Sequence, residues 1–282
     1  MKEFKVYLAH YGTTRFFERQ VRLIRKYFKY DRQSVVLKLY GFVDSSNDAA
    51  SEIMRAKWLE LDVVPIDLPR GRSLDFSESY GLAFQYIYHH YIKYDTYISV
   101  FLENDMFPID YVDIEEYSRG HSVAGEIRFN PNNLPDRIVM FYLGLQIFNH
   151  TLMPDKDMYS GICGNIIAVS GKELWTDCGG STYYWLNYNN NYKTIKHIPT
   201  AGYTQKPYDP FTSPTCEVHN ITSDIENLPD YLREGYEPSF RVVNYDNLFL
   251  HLELMGHEYD NDPIKAAKNK WFDDIFARLM NR

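Results

Sequence analysis

Two carboxylates spaced two residues apart, Glu103 and Asp105, follow an apolar run at residues 97–102. The run is typical of a buried strand, and alternation along a strand places both acids on one side with Asn104 on the other. Carboxylate oxygens are the ligands that Mg²⁺ and Mn²⁺ prefer, and these ions in turn hold phosphate oxygens. The spacing therefore indicates a metal site. A solvated turn after a buried strand, ended by Pro108, is the alternative interpretation.

The elements that must position this pair follow from hydrophobic periodicity. Predicted strands cover residues 4–9, 34–43, 63–66 and 96–102, and helical patterns between them begin at Thr14, Asp48 and Ser77. The repeated β-α-β order predicts an α/β fold with a mixed, mainly parallel sheet flanked by helices. Ligands of such sheets bind beyond the carboxyl ends of the strands, where Glu103 and Asp105 are expected to lie.

The second half of the chain is less regular. It carries strand signals at residues 122–127 and 165–169, a polar loop over 187–215 and an amphipathic helix over 263–282. Because no linker interrupts the pattern, we predict a single domain of residues 1–282.

Composition limits the function classes. The chain has 282 residues, a formal net charge of −8 and a sequence pI near 5.6, which argue against a nucleic-acid surface. Its three cysteines show no C-x-x-C spacing and its N-terminus shows no signal or anchor pattern, so we expect a cytoplasmic protein without a membrane span. The signatures of P-loop, dinucleotide-binding, serine-hydrolase and zincin sites do not occur in the sequence.

Three segments resemble motifs of GT-A fold glycosyltransferases that use nucleotide sugars, most like the broad family 2 group. Residues 44–48, Asp-Ser-Ser-Asn-Asp, are similar to the D-G-S-T-D loop, residues 97–108 to the strand that ends in the D-x-D motif, and residues 175–180 to a D-T-G segment. Two positions depart from the pattern: Glu103 replaces an aspartate and Ser45 replaces a glycine.

The resemblance implies a nucleotide-sugar donor site in the first half, residues 1–110. The segment after the first strand, His10, Tyr11 and Gly12, and the acid Asp44 would hold the base and ribose. Arg72 would reach the diphosphate with its planar guanidinium. For Asp44, capping of the next helix is an equal alternative.

The resemblance also implies a Mn²⁺ or Mg²⁺ cofactor bound through the acidic motif. Asp105 is the expected direct ligand, and Glu103, one methylene longer than the usual aspartate, contacts the ion, its bound water or the ribose. Asn104 belongs to the same donor-binding motif. His251 is the expected third ligand, with His257 as the alternative, and a hydrogen-bonded core histidine is the competing interpretation of either.

The second half, residues 111–282, is the implied acceptor-binding half. Asp177 is the candidate catalytic base of an inverting enzyme, and Glu126 and Glu217 compete with it. Tyr184 and Trp185 are expected to form a wall on which the acceptor sugar stacks, with Glu126 beside it.

The expected function is metal-dependent sugar transfer from a nucleoside diphosphate to a hydroxyl of a glycan or glycoconjugate. A sugar-nucleotide pyrophosphorylase on a similar fold is one alternative, although residues 11–15 are a poor version of its glycine-rich loop. A non-catalytic carbohydrate-binding protein that has kept the fold is the other.

Overall fold

The computed structural model describes residues 1–10, 13–43, 48–69, 76–129, 139–168, 170–176, 178–202, 229–237, 240, 242–252 and 262–282. The strands within these ranges, in chain order, are β1 Lys2–Ala9, β2 Phe28–Lys29, β3 Val35–Val43, β4 Val64–Asp67, β5 Ile98–Glu103, β6 Met106–Pro108, β7 Val112–Asp113, β8 Val123–Phe129, β9 Val139–Asn149, β10 Gly164–Ile167, β11 Glu173–Thr176, β12 Ile195–His197, β13 Thr200–Gly202, β14 Val243–Tyr245 and β15 Phe249–His251. The α-helices are α1 Phe17–Tyr27, α2 Asp48–Glu60, α3 Phe76–His90, α4 Ile114–Tyr117, α5 Thr182–Asn187, α6 Asp230–Arg233 and α7 Pro263–Asn281, and 3₁₀ turns cover Ile92–Tyr94, Lys156–Met158 and Tyr188–Thr194.

A seven-stranded sheet in the order β12-β8-β9-β5-β1-β3-β4 forms the centre of the molecule. Strands β4, β3, β1 and β5 pair in parallel, β9 pairs antiparallel with both β5 and β8, and β12 is parallel to β8. Strand β9 is therefore the one strand of this sheet that runs opposite to the others. The predicted α/β fold, with a mainly parallel sheet flanked by helices, is confirmed.

Helices cover both faces of the sheet because consecutive side chains of β1 and β5 are apolar and point alternately to the two faces. Val6 and Leu8 of β1 face one core with α1 and α2, and Tyr7 faces a second core with α3 and α5. Phe101 of β5 joins Tyr7, whereas its neighbours Val100 and Leu102 join the first core. Strands buried on both faces read as continuous apolar runs, as β5 does.

A smaller four-stranded sheet, β13-β14-β15-β6, and the C-terminal helix α7 form a third core against α1. Helix α7 begins with Pro263 in its first turn, and Asp262 caps it by accepting hydrogen bonds from the backbone N–H groups of Ile264 and Lys265. Trp271 and Ile275 lie on its buried face. The predicted amphipathic C-terminal helix is thus present and packs onto the protein.

The structure departs from the sequence-based expectations in two places. Strand β9 was not predicted, although its run Val-Met-Phe-Tyr-Leu-Gly-Leu-Gln-Ile-Phe-Asn is largely apolar. Helix α1 begins at Phe17 rather than at Thr14, and no side chain caps it.

No helix among the described residues is both long enough and apolar enough to cross a membrane.

Candidate metal centre

Strand β5 ends at Glu103, and Asn104 and Asp105 form a turn before β6 begins at Met106. Asn and Asp favour turns because their short side chains bond to nearby backbone. The expected strand alternation therefore does not extend through Asp105, and this expectation was wrong. The turn nevertheless leaves the two acids close together. After the turn, β6 pairs with β15, the strand that ends at His251.

Gln20, on helix α1, fixes this turn through hydrogen bonds to its backbone. Its Nε2 donates to the backbone oxygens of Glu103 and Met106, each at 2.7 Å. Because the amide nitrogen of Gln20 donates to these two carbonyls, the amide oxygen Oε1 is the atom that faces His10 Nε2, at 2.8 Å. An amide oxygen can only accept, so His10 Nε2–H donates this hydrogen bond. Gln20 was not predicted as a site residue, because its one signal in the sequence is a polar side chain on the apolar face of an amphipathic helix.

His251 completes the site from the last residue of β15. It pairs with Met106 across the antiparallel β15-β6 ladder, and Leu252 N–H donates to the backbone oxygen of Asp105 at 2.9 Å. His251 Nε2 lies 3.3 Å from Asp105 Oδ1 and 3.9 Å from Glu103 Oε2. One candidate ligand atom from each of the three residues falls within 4.8 Å of the others.

The chemistry of this donor set fits Mn²⁺ or Mg²⁺. Two carboxylates supply hard oxygen atoms, and one buried imidazole supplies nitrogen, which Mn²⁺ accepts more readily than Mg²⁺. Burial and the neighbouring Asp105 raise the pKa of Glu103 to about 7, against the opposing effects of His251, the Tyr142 hydrogen bond and Arg128. A half-buried and a buried carboxylate this close repel each other, and a divalent cation between them would relieve that repulsion.

Glu126 is buried in an ion pair. Only 2% of it is exposed, and Arg128 donates from Nε and Nη2 to its two carboxylate oxygens, each at 2.8 Å. Tyr245 adds a hydrogen bond from its hydroxyl to Oε2 at 2.6 Å. This carboxylate is thus the partner of a buried arginine, and its role toward an acceptor stays a prediction.

Of the two residues expected to form the sugar-stacking wall, Tyr184 is exposed and Trp185 is buried. Trp185 is 0% exposed, and its Nε1 donates to the backbone oxygen of Pro154 at 3.0 Å, so its ring has no face open to an acceptor. Tyr184 is 42% exposed, and its hydroxyl accepts a hydrogen bond from Ile167 N–H. Trp175 on β11 is 57% exposed. Trp175 was not predicted as a site residue. Its exposed position follows from strand alternation, because its neighbours Leu174 and Thr176 are buried.

His10 lies in the core. It is 1% exposed, and its ring meets Phe17 and Trp58 edge-on at centroid distances of 4.3 and 5.1 Å. Burial lowers its pKa to about 3, so the imidazole is neutral. Its Nε2 contacts Gln20, which holds the turn after β5, and the donor-binding role of His10 stays a prediction.

The remaining predicted site residues lie outside the described part of the chain. These are the donor-binding candidates Tyr11, Gly12, Asp44 and Arg72, the catalytic candidate Asp177, and the alternatives Glu217 and His257. Their roles stay predictions.

No protein-family model matches the chain, and no curated protein matches it. Among solved structures, it is similar to the galactosyltransferase LgtC in complex with donor and acceptor sugar analogues, at 9% identity over 70% of this chain and 73% of that one, with a TM-score of 0.40. It is also similar to the mannosyltransferase PcManGT from Pyrobaculum calidifontis in complex with GDP-Man and Mn²⁺, at 12% identity over 99% of this chain and 74% of that one, with a TM-score of 0.41.

Mouse xyloside xylosyltransferase 1 is a third similar structure, at 13% identity over 54% of this chain and 68% of that one, with a TM-score of 0.35. None of these matches assigns the chain to the family 2 group. At identities this low, the roles of the residues in this chain depend on their own geometry.

Proposed function

We propose that the protein is a metal-dependent glycosyltransferase that moves a sugar from a nucleoside diphosphate to a hydroxyl of a glycan acceptor. The observation that carries the proposal is the cluster of half-buried Glu103 with buried Asp105 and His251, whose candidate ligand atoms lie within 4.8 Å of one another. The resemblance of residues 97–108 to a D-x-D strand supports the same function from the sequence.

The location of the cluster agrees with this chemistry. It lies at the carboxyl end of β5, on the edge of the sheet where ligands of mainly parallel α/β proteins bind. A bound divalent cation would neutralise the diphosphate as it leaves the sugar. Asp105 and His251 would hold the ion, and Glu103 would hold the ion or its bound water.

The chain's own residues also have separate tasks around the cluster. Gln20 fixes the backbone on both sides of the Asn104–Asp105 turn, so the ligands are positioned before the donor arrives. Arg72 remains the proposed diphosphate contact and Asp44 the proposed nucleoside contact. Asp177 remains the proposed base, and inversion of the anomeric configuration depends on that role.

The acceptor is proposed to bind along the β10-β11 hairpin and α5. Gly81, near the start of α3, lies against this region, because a Cβ there would be 3.2 Å from backbone atoms of residues 161–163. Helix α3 follows β4, so its first turns lie at the carboxyl edge of the sheet. The rings of Trp175 and Tyr184 are exposed on β11 and α5, and aromatic faces of this kind stack on sugar rings.

The function is tested by release of nucleoside diphosphate from a panel of nucleotide sugars with Mn²⁺ and without acceptor. Slow hydrolysis of at least one donor, abolished by EDTA and restored by Mn²⁺, is the expected result. An added glycan acceptor should accelerate release. If no donor is hydrolysed although Mn²⁺ binds, transferase activity is refuted and a carbohydrate-binding protein on the same fold becomes the better account.

A further inference from the structure

We propose that Tyr142 is a positioning residue for the metal centre, and that a buried arginine clamp formed by Arg128 and Glu126 sets the place of its ring. The inference rests on the proposed function, because it assigns a role in metal binding. It concerns two segments, β8 and β9, that contribute no candidate metal ligand among the described residues.

Tyr142 contacts two members of the cluster directly. Its hydroxyl donates to Glu103 Oε2 at 2.9 Å, and its ring lies 5.8 Å from the His251 ring between centroids. Glu103 Oε2 is the same oxygen that lies 3.9 Å from His251 Nε2. The hydrogen bond from Tyr142 therefore fixes the carboxylate relative to the imidazole.

Gly144 makes this contact possible. Strand β9 runs antiparallel to β5, with Leu145 opposite Leu102, so Gly144 lies beside the end of β5. A Cβ at Gly144 would collide with the Tyr142 ring and would lie 3.0 Å from Glu103 Oε2. The missing side chain leaves the space in which the phenol ring reaches the glutamate.

The arginine clamp packs against the Tyr142 ring. Arg128 Cζ lies 3.5 Å from the centroid of the Tyr142 ring, and the guanidinium cannot turn away because Glu126 binds it at two atoms. Tyr245 in turn donates to Glu126. A planar cation stacked on an aromatic face and fixed by a bidentate ion pair has little freedom. The clamp therefore fixes the position of the Tyr142 hydroxyl.

This positioning answers a specific need of the site. A glutamate has one more rotatable bond than an aspartate, and ordering it costs more conformational entropy. Partners that orient a metal ligand typically change metal affinity by about 10- to 100-fold when they are removed. Tyr142 supplies the missing order for Glu103.

The test uses two matched tyrosine variants. Tyr142→Phe removes a hydroxyl that donates to Glu103 at 2.9 Å, and Tyr7→Phe removes a hydroxyl that donates to Asp95 at 2.9 Å, at the other end of β5. Mn²⁺ dissociation constants are measured by calorimetry, with melting temperatures alongside. We expect Tyr142→Phe to weaken Mn²⁺ binding by about 10-fold or more. Tyr7→Phe should stay within about twofold of the wild type, because its hydroxyl is remote from the cluster.

A second variant keeps the test decisive if Tyr142→Phe does not fold. Arg128→Lys retains a positive charge beside Glu126 but removes the planar stacking face, and we expect it to weaken Mn²⁺ binding severalfold. Wild-type Mn²⁺ binding together with unchanged binding in the folded variants would overturn the positioning role alone. A wild-type protein that binds no Mn²⁺ would overturn both this role and the proposed metal centre.

Discussion

Strand β5 has acidic residues at both of its ends, and their negative charge is balanced differently at the two ends. Before its first residue, Asp95 binds the ammonium group of Lys5 and accepts a hydrogen bond from the Tyr7 hydroxyl at 2.9 Å. At its last residue, Glu103 and the following Asp105 lie near the imidazole of His251. The nearby cation Arg128 is already held by Glu126.

This difference in charge balance distinguishes the structural cluster around Asp95 from the candidate metal site at Glu103 and Asp105. Burial raises the pKa of Asp95 and lowers that of Lys5, but hydrogen bonding and charge attraction between the two groups oppose both effects and leave the pKa of Lys5 raised. The protein therefore carries its own counter-charge at the amino end. At the carboxyl end, burial and Asp105 raise the pKa of Glu103, so the site gains from an added cation. A tyrosine hydroxyl donates to a carboxylate at each end, which makes the charge balance the main contrast.

The largest expected effect on stability comes from the amino end. Asp95→Asn removes the charge partner of Lys5, and breaking a buried pair in this way costs about 3 kcal/mol of unfolding free energy. Urea denaturation of the variant and the wild type measures this loss. Because the cluster at the carboxyl end is untouched, calorimetric Mn²⁺ affinity should stay the same. A large loss of Mn²⁺ affinity would show that the two ends are not independent.

The next effect is a pH dependence at the amino end. His150 lies 2.6 Å from Ser99 Oγ, and burial, with Lys156 and Lys5 nearby, lowers its pKa to about 3. The unfolded chain takes up a proton on this histidine below about pH 6.5, but the folded chain does not. Stability is therefore present above pH 6.5 and is lost as the pH falls toward 3.

From pH 6.5 to 5, the uptake of one proton corresponds to about 2 kcal/mol. His150→Gln should remove this part of the pH dependence in urea denaturation at the two pH values. His121→Gln, at a half-buried surface position, is the control and should retain it. An unchanged pH dependence in His150→Gln would mean that this histidine does not set the balance of charge at the amino end.

Much of the fold followed from local signals in the sequence. The strands around β1, β3 and β5 are short apolar runs bounded by turns, and alternation with amphipathic helices indicated their parallel order. Strand β9 was not predicted because a long apolar run does not reveal its partner or direction, which depend on contacts with β5 and β8. Pairing of this kind is set by tertiary structure.

The site was predictable to the extent that residue type alone limits its chemistry. Glu103, Asp105 and His251 are suited to a cation, and the structure brings them together. His10 and Trp185 have equally suggestive types, but the structure buries both. Gln20 and Tyr142 act through contacts with distant segments, so nothing in their local sequence marks them.

The central claim is that the carboxyl end of β5 binds a divalent cation through Asp105. Calorimetric titration of Mn²⁺ into the wild type, Asp105→Asn and Asp95→Asn tests it most directly. Binding by the wild type and by Asp95→Asn, with a loss of at least about 100-fold in Asp105→Asn, is the predicted result. Equal Mn²⁺ affinity in the wild type and Asp105→Asn would contradict the account.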